Sequence, residues 1–123
     1  MIKGIDIKNL DFKQDGVGAW YYTFEEVPYT GCAYQMFPND LLASEGNFIN
    51  GYKEGIQKKW YQSGQLLSEQ YFSNNNPHGK CMEWHENGVL RFEGEYDMGK
   101  RTWSKTYNEK GELIKQYPSL VVE

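Results

Sequence analysis

The feature that most constrains the fold is a block of sequence that occurs twice in succession. GIQKKWYQSGQLLSEQYF begins at Gly55, and GKCMEWHENGVLRFEGEY begins 24 residues later at Gly79. Gly, Trp, Gly, Leu, Glu and an aromatic residue recur in the same order in both blocks. Weaker copies start at Gly31, 24 residues before Gly55, and at Thr102, 23 residues after Gly79. A fixed period of this size is typical of a repeat protein, whose units pack on their neighbours.

Each unit predicts a β-hairpin, because its centre is a three-residue connection that ends in Gly, at residues 62–64, 86–88 and 109–111. Glycine suits the left-handed position of a type I turn with a following bulge. In the first unit, residues 38–40 form the same turn with Asp40 in the glycine position. Such a turn brings the residue two positions before it opposite the leucine two positions after it. The predicted cross-strand pairs are Met36–Leu42, Trp60–Leu66, Trp84–Leu90 and Tyr107–Leu113.

The N-terminal residues fit the repeat if the period is counted back from Gly31 to Ile7. This count predicts a degenerate opening hairpin with strands at 5–12 and 17–24, a turn at 14–16, and Trp20 and Tyr22 on the aromatic face. The sequence therefore predicts one all-β domain, an antiparallel meander of about ten strands without a helix of three or more turns. The predicted domain spans residues 1–123. It consists of an opening hairpin at 5–24, repeat hairpins at 31–48, 55–72, 79–96 and 102–117, and a tail at 118–123. The apolar tail residues 120–122 either cap the last hairpin or fold under the aromatic face.

Strict alternation along each strand predicts that one face of the sheet is aromatic and the other polar. The predicted aromatic face collects Ile56, Trp60, Leu66, Phe72, Met82, Trp84, Leu90, Phe92, Tyr96, Trp103, Tyr107 and Leu113. The predicted polar face collects Gln57, Lys59, Tyr61, Glu69, Glu83, His85, Glu93 and Thr106. A single sheet has no second layer, so the aromatic face is either core, covered by the termini or a second copy, or a part-exposed surface for a partner.

The net charge of the chain indicates which classes of partner it can bind. The net charge is −4 and the pI is near 5.2, which disfavours nucleic acid and anionic membranes and favours a partner with a basic surface. No run approaches the roughly 18 apolar residues of a membrane span. Charged residues near the start stand where a signal peptide needs its apolar core, so we expect a cytoplasmic location.

The residues that carry chemistry do not form a catalytic or metal-binding pattern. Cys32 and Cys81 fall at different repeat positions two units apart, which predicts free structural thiols. His78 and His85 have no nucleophile motif beside them and no metal-ligand spacing. We therefore expect a protein without catalytic activity, cofactor or metal.

The repeated glutamates, Glu45, Glu69 and Glu93, allow two interpretations. They either bond neighbouring strands within their units, or form a carboxylate row for acid–base chemistry. Their predicted spacing of two strands, about 9–10 Å, favours the structural role. A cluster of acids in the third unit is likewise either a solvated face or an anionic patch for a cationic cleft.

The recurring G-x4-W/Y-x3-G-x-L-x2-E block, with residues 28–31 and the link 50–55, resembles the variant MORN repeats of the bacterial YwqK-type antitoxin family. The sequence departs from that pattern at Asp40, Thr102 and Gln116. The resemblance implies an antitoxin or immunity protein that neutralises a cognate bacterial toxin by direct stoichiometric binding. The alternative is a MORN-type scaffold or membrane-proximal adaptor.

Aromatic anchors within a polar rim are typical of protein interfaces. The candidate partner-binding residues are Trp60, Tyr61, Glu83, Trp84, His85, Glu86, Glu95 and Tyr107. The sequence leaves open the identity of the toxin, the face that binds it and the stoichiometry.

Overall fold

The structure, a computed structural model, describes residues 4–119. Twelve strands and one short 3-10 helix follow one another along these residues. They are β1 (Ile5–Asp6), the 3-10 helix (Ile7–Asn9), β2 (Asp11–Gln14), β3 (Trp20–Phe24), β4 (Val27–Pro28), β5 (Gly31–Met36), β6 (Leu42–Ile49), β7 (Tyr52–Trp60), β8 (Leu66–Ser73), β9 (Asn76–Trp84), β10 (Leu90–Asp97), β11 (Lys100–Tyr107) and β12 (Leu113–Tyr117). The predicted all-β class is confirmed.

A nine-stranded sheet forms most of the molecule. Strands β5 to β12 follow one another in an antiparallel meander, and β1 adds to its edge by pairing in parallel with β5. All four predicted cross-strand pairs are present: Met36 lies opposite Leu42, Trp60 opposite Leu66, Trp84 opposite Leu90, and Tyr107 opposite Leu113. The repeat therefore sets the register of the large sheet.

The four repeat hairpins turn at the predicted positions. Asp40, Gly64, Gly88 and Gly111 have φ of 64°, 97°, 88° and 85°, the left-handed conformation that the turn requires. In each turn the residue three positions earlier accepts a hydrogen bond from this left-handed residue, as Tyr61 does from Gly64. The prediction of turns at 38–40, 62–64, 86–88 and 109–111 is confirmed.

The opening hairpin differs from its prediction in register and in sheet. Its strands are β2 and β3, not residues 5–12 and 17–24, and with β4 they form a separate three-stranded sheet. The left-handed glycine is Gly18, not Gly16. The cause is local, because the Asp15 carboxylate accepts hydrogen bonds of 2.9 Å from the amides of Val17 and Ala19. This Asp turn places the reversal two residues later than the repeat count does.

The predicted division into faces fails in the second strand of each repeat hairpin. In each of these strands a β-bulge leaves one residue without a partner across the hairpin. These bulge residues are Ala43, Leu67, Arg91 and Ile114. An extra residue reverses the alternation beyond it. Phe72, Phe92 and Tyr96 therefore lie on the face opposite Trp60 and Trp84.

We call the face that carries Trp60, Trp84 and Tyr107 the tryptophan face, and the face that carries Phe48, Phe72 and Phe92 the phenylalanine face. The same reversal brings Glu45, Glu69 and Glu93 onto the tryptophan face, where Lys58, Met82 and Lys105 are their neighbours on adjacent strands.

The core lies on the phenylalanine face, at the β5–β6 end of the large sheet. Leu10, Ala33 and Phe48 are its buried members, and Ile5, Ile7, Tyr22 and Tyr29 pack against them. The Tyr22 ring meets the Phe48 ring edge to face, with 5.2 Å between centroids. The N-terminal residues and the small sheet therefore cover part of the phenylalanine face. The sequence predicted that Trp20 and Tyr22 extend the tryptophan face. That prediction is wrong, because both residues lie in the small sheet.

Candidate functional site

The tryptophan face carries a continuous row of large side chains near the repeat turns. Successive strands contribute Met36, Leu42, Trp60, Leu66, Trp84, Leu90, Tyr107 and Leu113. Trp60, Trp84 and Tyr107 are half-buried, and Leu113 at the end of the row is 50% exposed. Since the buried cluster lies on the opposite face, this row is neither core nor fully open surface.

The repeated glutamates form a second row on the same face. Lys58 Nζ lies 3.5 Å from Glu69 Oε2, and the Tyr107 hydroxyl donates a 2.5 Å hydrogen bond to Glu93 Oε2. That bond raises the pKa of Tyr107. Glu69 and Glu93 thus bond neighbouring side chains, which supports the structural interpretation over a paired acid–base site.

Two candidate residues link the turn of one repeat to the next. The Tyr61 hydroxyl donates a 2.7 Å hydrogen bond to the Trp84 carbonyl, and Nε2 of His85 lies 2.9 Å from the Tyr107 carbonyl. A carbonyl only accepts, so Nε2 carries the proton in this contact. Tyr61 and His85 occupy the same repeat position, 24 residues apart, and both fix the spacing between turns.

The candidate acids do not come together on one surface. Glu83 lies on the phenylalanine face and forms a 2.7 Å ion pair with Arg91. Glu95 lies on the tryptophan face opposite Trp103, and Glu86 is exposed in the third repeat turn. The bulge at Arg91 separates them. Of the candidate acids, only Glu95 lies on a strand of the tryptophan face.

The thiols and histidines have structural contacts. Cys32 and Cys81 are free thiols; burial raises the pKa of Cys81 to about 11, so this thiol is a poor nucleophile at neutral pH. His78 Nδ1 accepts a 3.0 Å hydrogen bond from the Met98 amide. Within residues 4–119, no group of three or more His, Cys, Asp or Glu residues is placed to hold a metal ion.

The sequence did not predict a groove of about 420 Å³ on the phenylalanine face. Tyr22, Phe48 and Phe72 line it together with Lys53 and Lys59. The recurrence of Phe48 and Phe72 at the 24-residue period was the available signal, but strict alternation assigned Phe72 to the other face. In the part of the chain that the structure describes, no helix is long and apolar enough to span a membrane.

The repeat class is shown by a family model. Residues 53–74 and 77–98, which cover β7–β8 and β9–β10 except for Tyr52 and Asn76, match the model described as the MORN repeat variant. These two units are variant MORN repeats. Trp60, Trp84 and the bulges at Leu67 and Arg91 belong to this pair of MORN repeats, whereas Tyr107 lies outside the matched residues.

No curated protein matches the chain. Two solved structures with low similarity are crystal structures of TarM, one of them a mutant of the S. aureus protein in complex with fondaparinux, alpha-GlcNAc-glycerol and UDP. In each case the identity is 14%, the TM-score is 0.43, and the match covers 90% of this chain. The match covers only 20% of either TarM chain.

Proposed function

We propose that this protein is an immunity protein or antitoxin that neutralises a cognate bacterial toxin by binding it stoichiometrically in the cytoplasm, without catalysis. The observation that carries the proposal is the row of Trp60, Trp84 and Tyr107 on the tryptophan face. These rings are held in register by the repeat and are only half-buried. Rigid aromatic side chains on a preformed surface are the usual anchors of protein interfaces.

The links between turns support a rigid binding surface. Tyr61 and His85 each bond a backbone carbonyl of the next repeat, so hydrogen bonds link the turns of adjacent repeats. A surface that is ordered before binding loses less conformational entropy when the complex forms. We therefore assign Tyr61 and His85 to positioning the interface, and Trp60, Trp84 and Tyr107 to contacting the toxin.

Charge favours a toxin with a basic binding surface. The chain has a net charge of −4; Glu86 is exposed in the third repeat turn, and Glu95 lies opposite Trp103 on the tryptophan face. Such acids speed the encounter with a cationic partner more than they strengthen the final complex. Lys58 and Lys105 also lie on this face, beside the repeated glutamates, so the acidic contribution comes from its rim.

A MORN-type scaffold that joins two proteins is the second candidate, and the match of two adjacent units to the MORN variant supports it. Co-expression with a candidate toxin from the same genome separates the two. We expect restored growth together with a co-purified complex. Continued toxicity without a complex would overturn the proposal, whereas a complex that leaves the toxin active would favour the scaffold.

A further inference from the structure

A groove crosses the phenylalanine face from β5 to β9. Ala33, Gly46, Ser68 and Cys81 lie on its floor, on β5, β6, β8 and β9, and the Gln57 side chain of β7 crosses the floor above Gly46. Five neighbouring strands span about 19 Å, a length that an extended chain covers with about six residues. Phe48 and Phe72 rise beside this floor, so the space is a channel rather than a flat surface.

Lys53 places a positive charge in this channel without a carboxylate beside it. Its ammonium group lies 5.0 Å from the centroid of the Phe72 ring. Within residues 4–119, no Asp or Glu oxygen lies within 4.0 Å of that group. Burial lowers the pKa of Lys53. A desolvated ammonium group normally has an anionic partner, for which one aromatic ring compensates only in part.

Lys59 brings a second ammonium group toward the same space. It lies six positions further along β7 on the same face, and its charge also lowers the pKa of Lys53. Lys59 is exposed, whereas Lys53 is half-buried, and like Lys53 it forms no ion pair with the described residues. Two carboxylates are among the lining residues: Glu83 is bonded to Arg91 at 2.7 Å, and Glu45 lies opposite Lys58. The groove thus holds two cations without counter-ions in a chain whose net charge is −4.

We propose that this groove binds an extended acidic peptide segment of a partner protein, with one carboxylate between Lys53 and Lys59. A carboxylate there supplies the counter-ion that neither lysine has. The length of the channel suits a peptide, whereas an anionic bilayer needs an exposed cationic face. The site lies opposite the tryptophan face and is independent of toxin binding there.

Fluorescence anisotropy at low ionic strength tests the proposal with two labelled heptapeptides that differ only in a central glutamate or glutamine. We expect the glutamate peptide to bind at least about tenfold more tightly. Lys53→Met should abolish that preference, Lys59→Met should reduce it, and Lys53→Arg should keep it. Lys110→Met is the matched control, because Lys110 is an exposed lysine in the last repeat turn.

Equal affinity for the two peptides, or no binding of either, would overturn the proposal. So would a glutamate preference that survives Lys53→Met in a protein with unchanged thermal unfolding. Binding to phosphatidylserine vesicles that Lys53→Met removes, without a peptide preference, would assign the groove to lipid headgroups instead. None of these results bears on toxin neutralisation, since the assay contains no toxin.

Discussion

The Tyr52 hydroxyl donates a 2.7 Å hydrogen bond to the Asp15 carboxylate, and this bond ties the turn of the opening hairpin to β7 of the large sheet. The rings of Tyr21 and Tyr52 also meet, with 5.8 Å between centroids. The two sheets are therefore held together by a polar contact as well as by the core around Phe48.

This bond predicts a pH dependence. The Tyr52 hydrogen bond lowers the pKa of Asp15, and the same bond raises the pKa of Tyr52. A lowered carboxyl pKa stabilises the fold above the unfolded value of about 4, and that stability is lost as the pH falls through the folded value. A raised tyrosine pKa stabilises the fold below about pH 10, and that stability is lost as the pH rises through the folded value.

Tyr52→Phe should therefore destabilise the protein at pH 7 and have a smaller effect at pH 3. Urea unfolding at both pH values measures the difference. Tyr71→Phe is the control, because Tyr71 is exposed and its hydroxyl has no hydrogen bond to the described residues. An equal effect of Tyr52→Phe at the two pH values would contradict the role of this bond.

The turn glycines give a second prediction. Gly64 and Gly18 have φ of 97° and 88°, and an added Cβ would meet no atom within 4 Å at either site. Substitution by valine should therefore cost roughly 1–2 kcal/mol through backbone strain alone. Gly88→Val should cost a similar amount, since its φ is 88°.

Gly16→Val is the matched control, because Gly16 has the same open surroundings without a left-handed φ. It should change the free energy of unfolding by less than about 0.5 kcal/mol. Chemical denaturation of the four variants measures these values. If Gly16→Val cost more than Gly18→Val, the left-handed position would be the one that the repeat count predicts.

The turn links give a third prediction. Tyr61→Phe removes the donor to the Trp84 carbonyl and should cost about 1 kcal/mol, the usual value of such a hydrogen bond. The ring itself should still fit, because Phe37 occupies the equivalent position of the first repeat. Urea unfolding, with Tyr71→Phe as the control, measures the loss. Equal free energies of unfolding for the two variants would show that the Tyr61 hydrogen bond does not stabilise the fold.

The sequence predicts most of the large sheet because its period and its turns are local signals. A glycine or Asp40 in the left-handed position sets each turn, and the turn then sets which residues pair, as Trp60 and Leu66 do. Such pairing depends on loop length and backbone conformation, which can be read from a few residues.

Two features could not be read in this way. The bulge residues Leu67 and Arg91 are not themselves glycine or proline, and each bulge changes the face of every residue beyond it in its strand. The opening hairpin departs from the repeat because Asp15 forms its own turn with Val17 and Ala19. The prediction of the candidate site was wrong for the same reason. Glu83 and Glu95 lie on opposite faces, and Lys53 and Phe72 line a groove that the sequence did not predict.

Charge on the rim of the tryptophan face gives a fourth prediction. If Glu86 and Glu95 steer a basic toxin, reversing both to lysine should slow association by about tenfold at low salt and weaken its salt dependence. Asp11→Lys with Glu25→Lys is the control for net charge, since both residues are exposed on the small sheet. Stopped-flow association rates measure the effect. An equal loss in the control pair would mean that only the net charge matters.

The central claim is that the aromatic row of the tryptophan face holds the partner, and the dissociation rate of the co-purified complex tests it most directly. Trp84→Ala should speed dissociation by roughly 30-fold, equivalent to about 2 kcal/mol, in a protein that still shows a cooperative unfolding transition. Trp20→Ala is the matched control, because Trp20 is 52% exposed on the small sheet. We predict that Trp20→Ala leaves the rate unchanged. Equal dissociation rates for Trp84→Ala and the unmodified protein would contradict the claim.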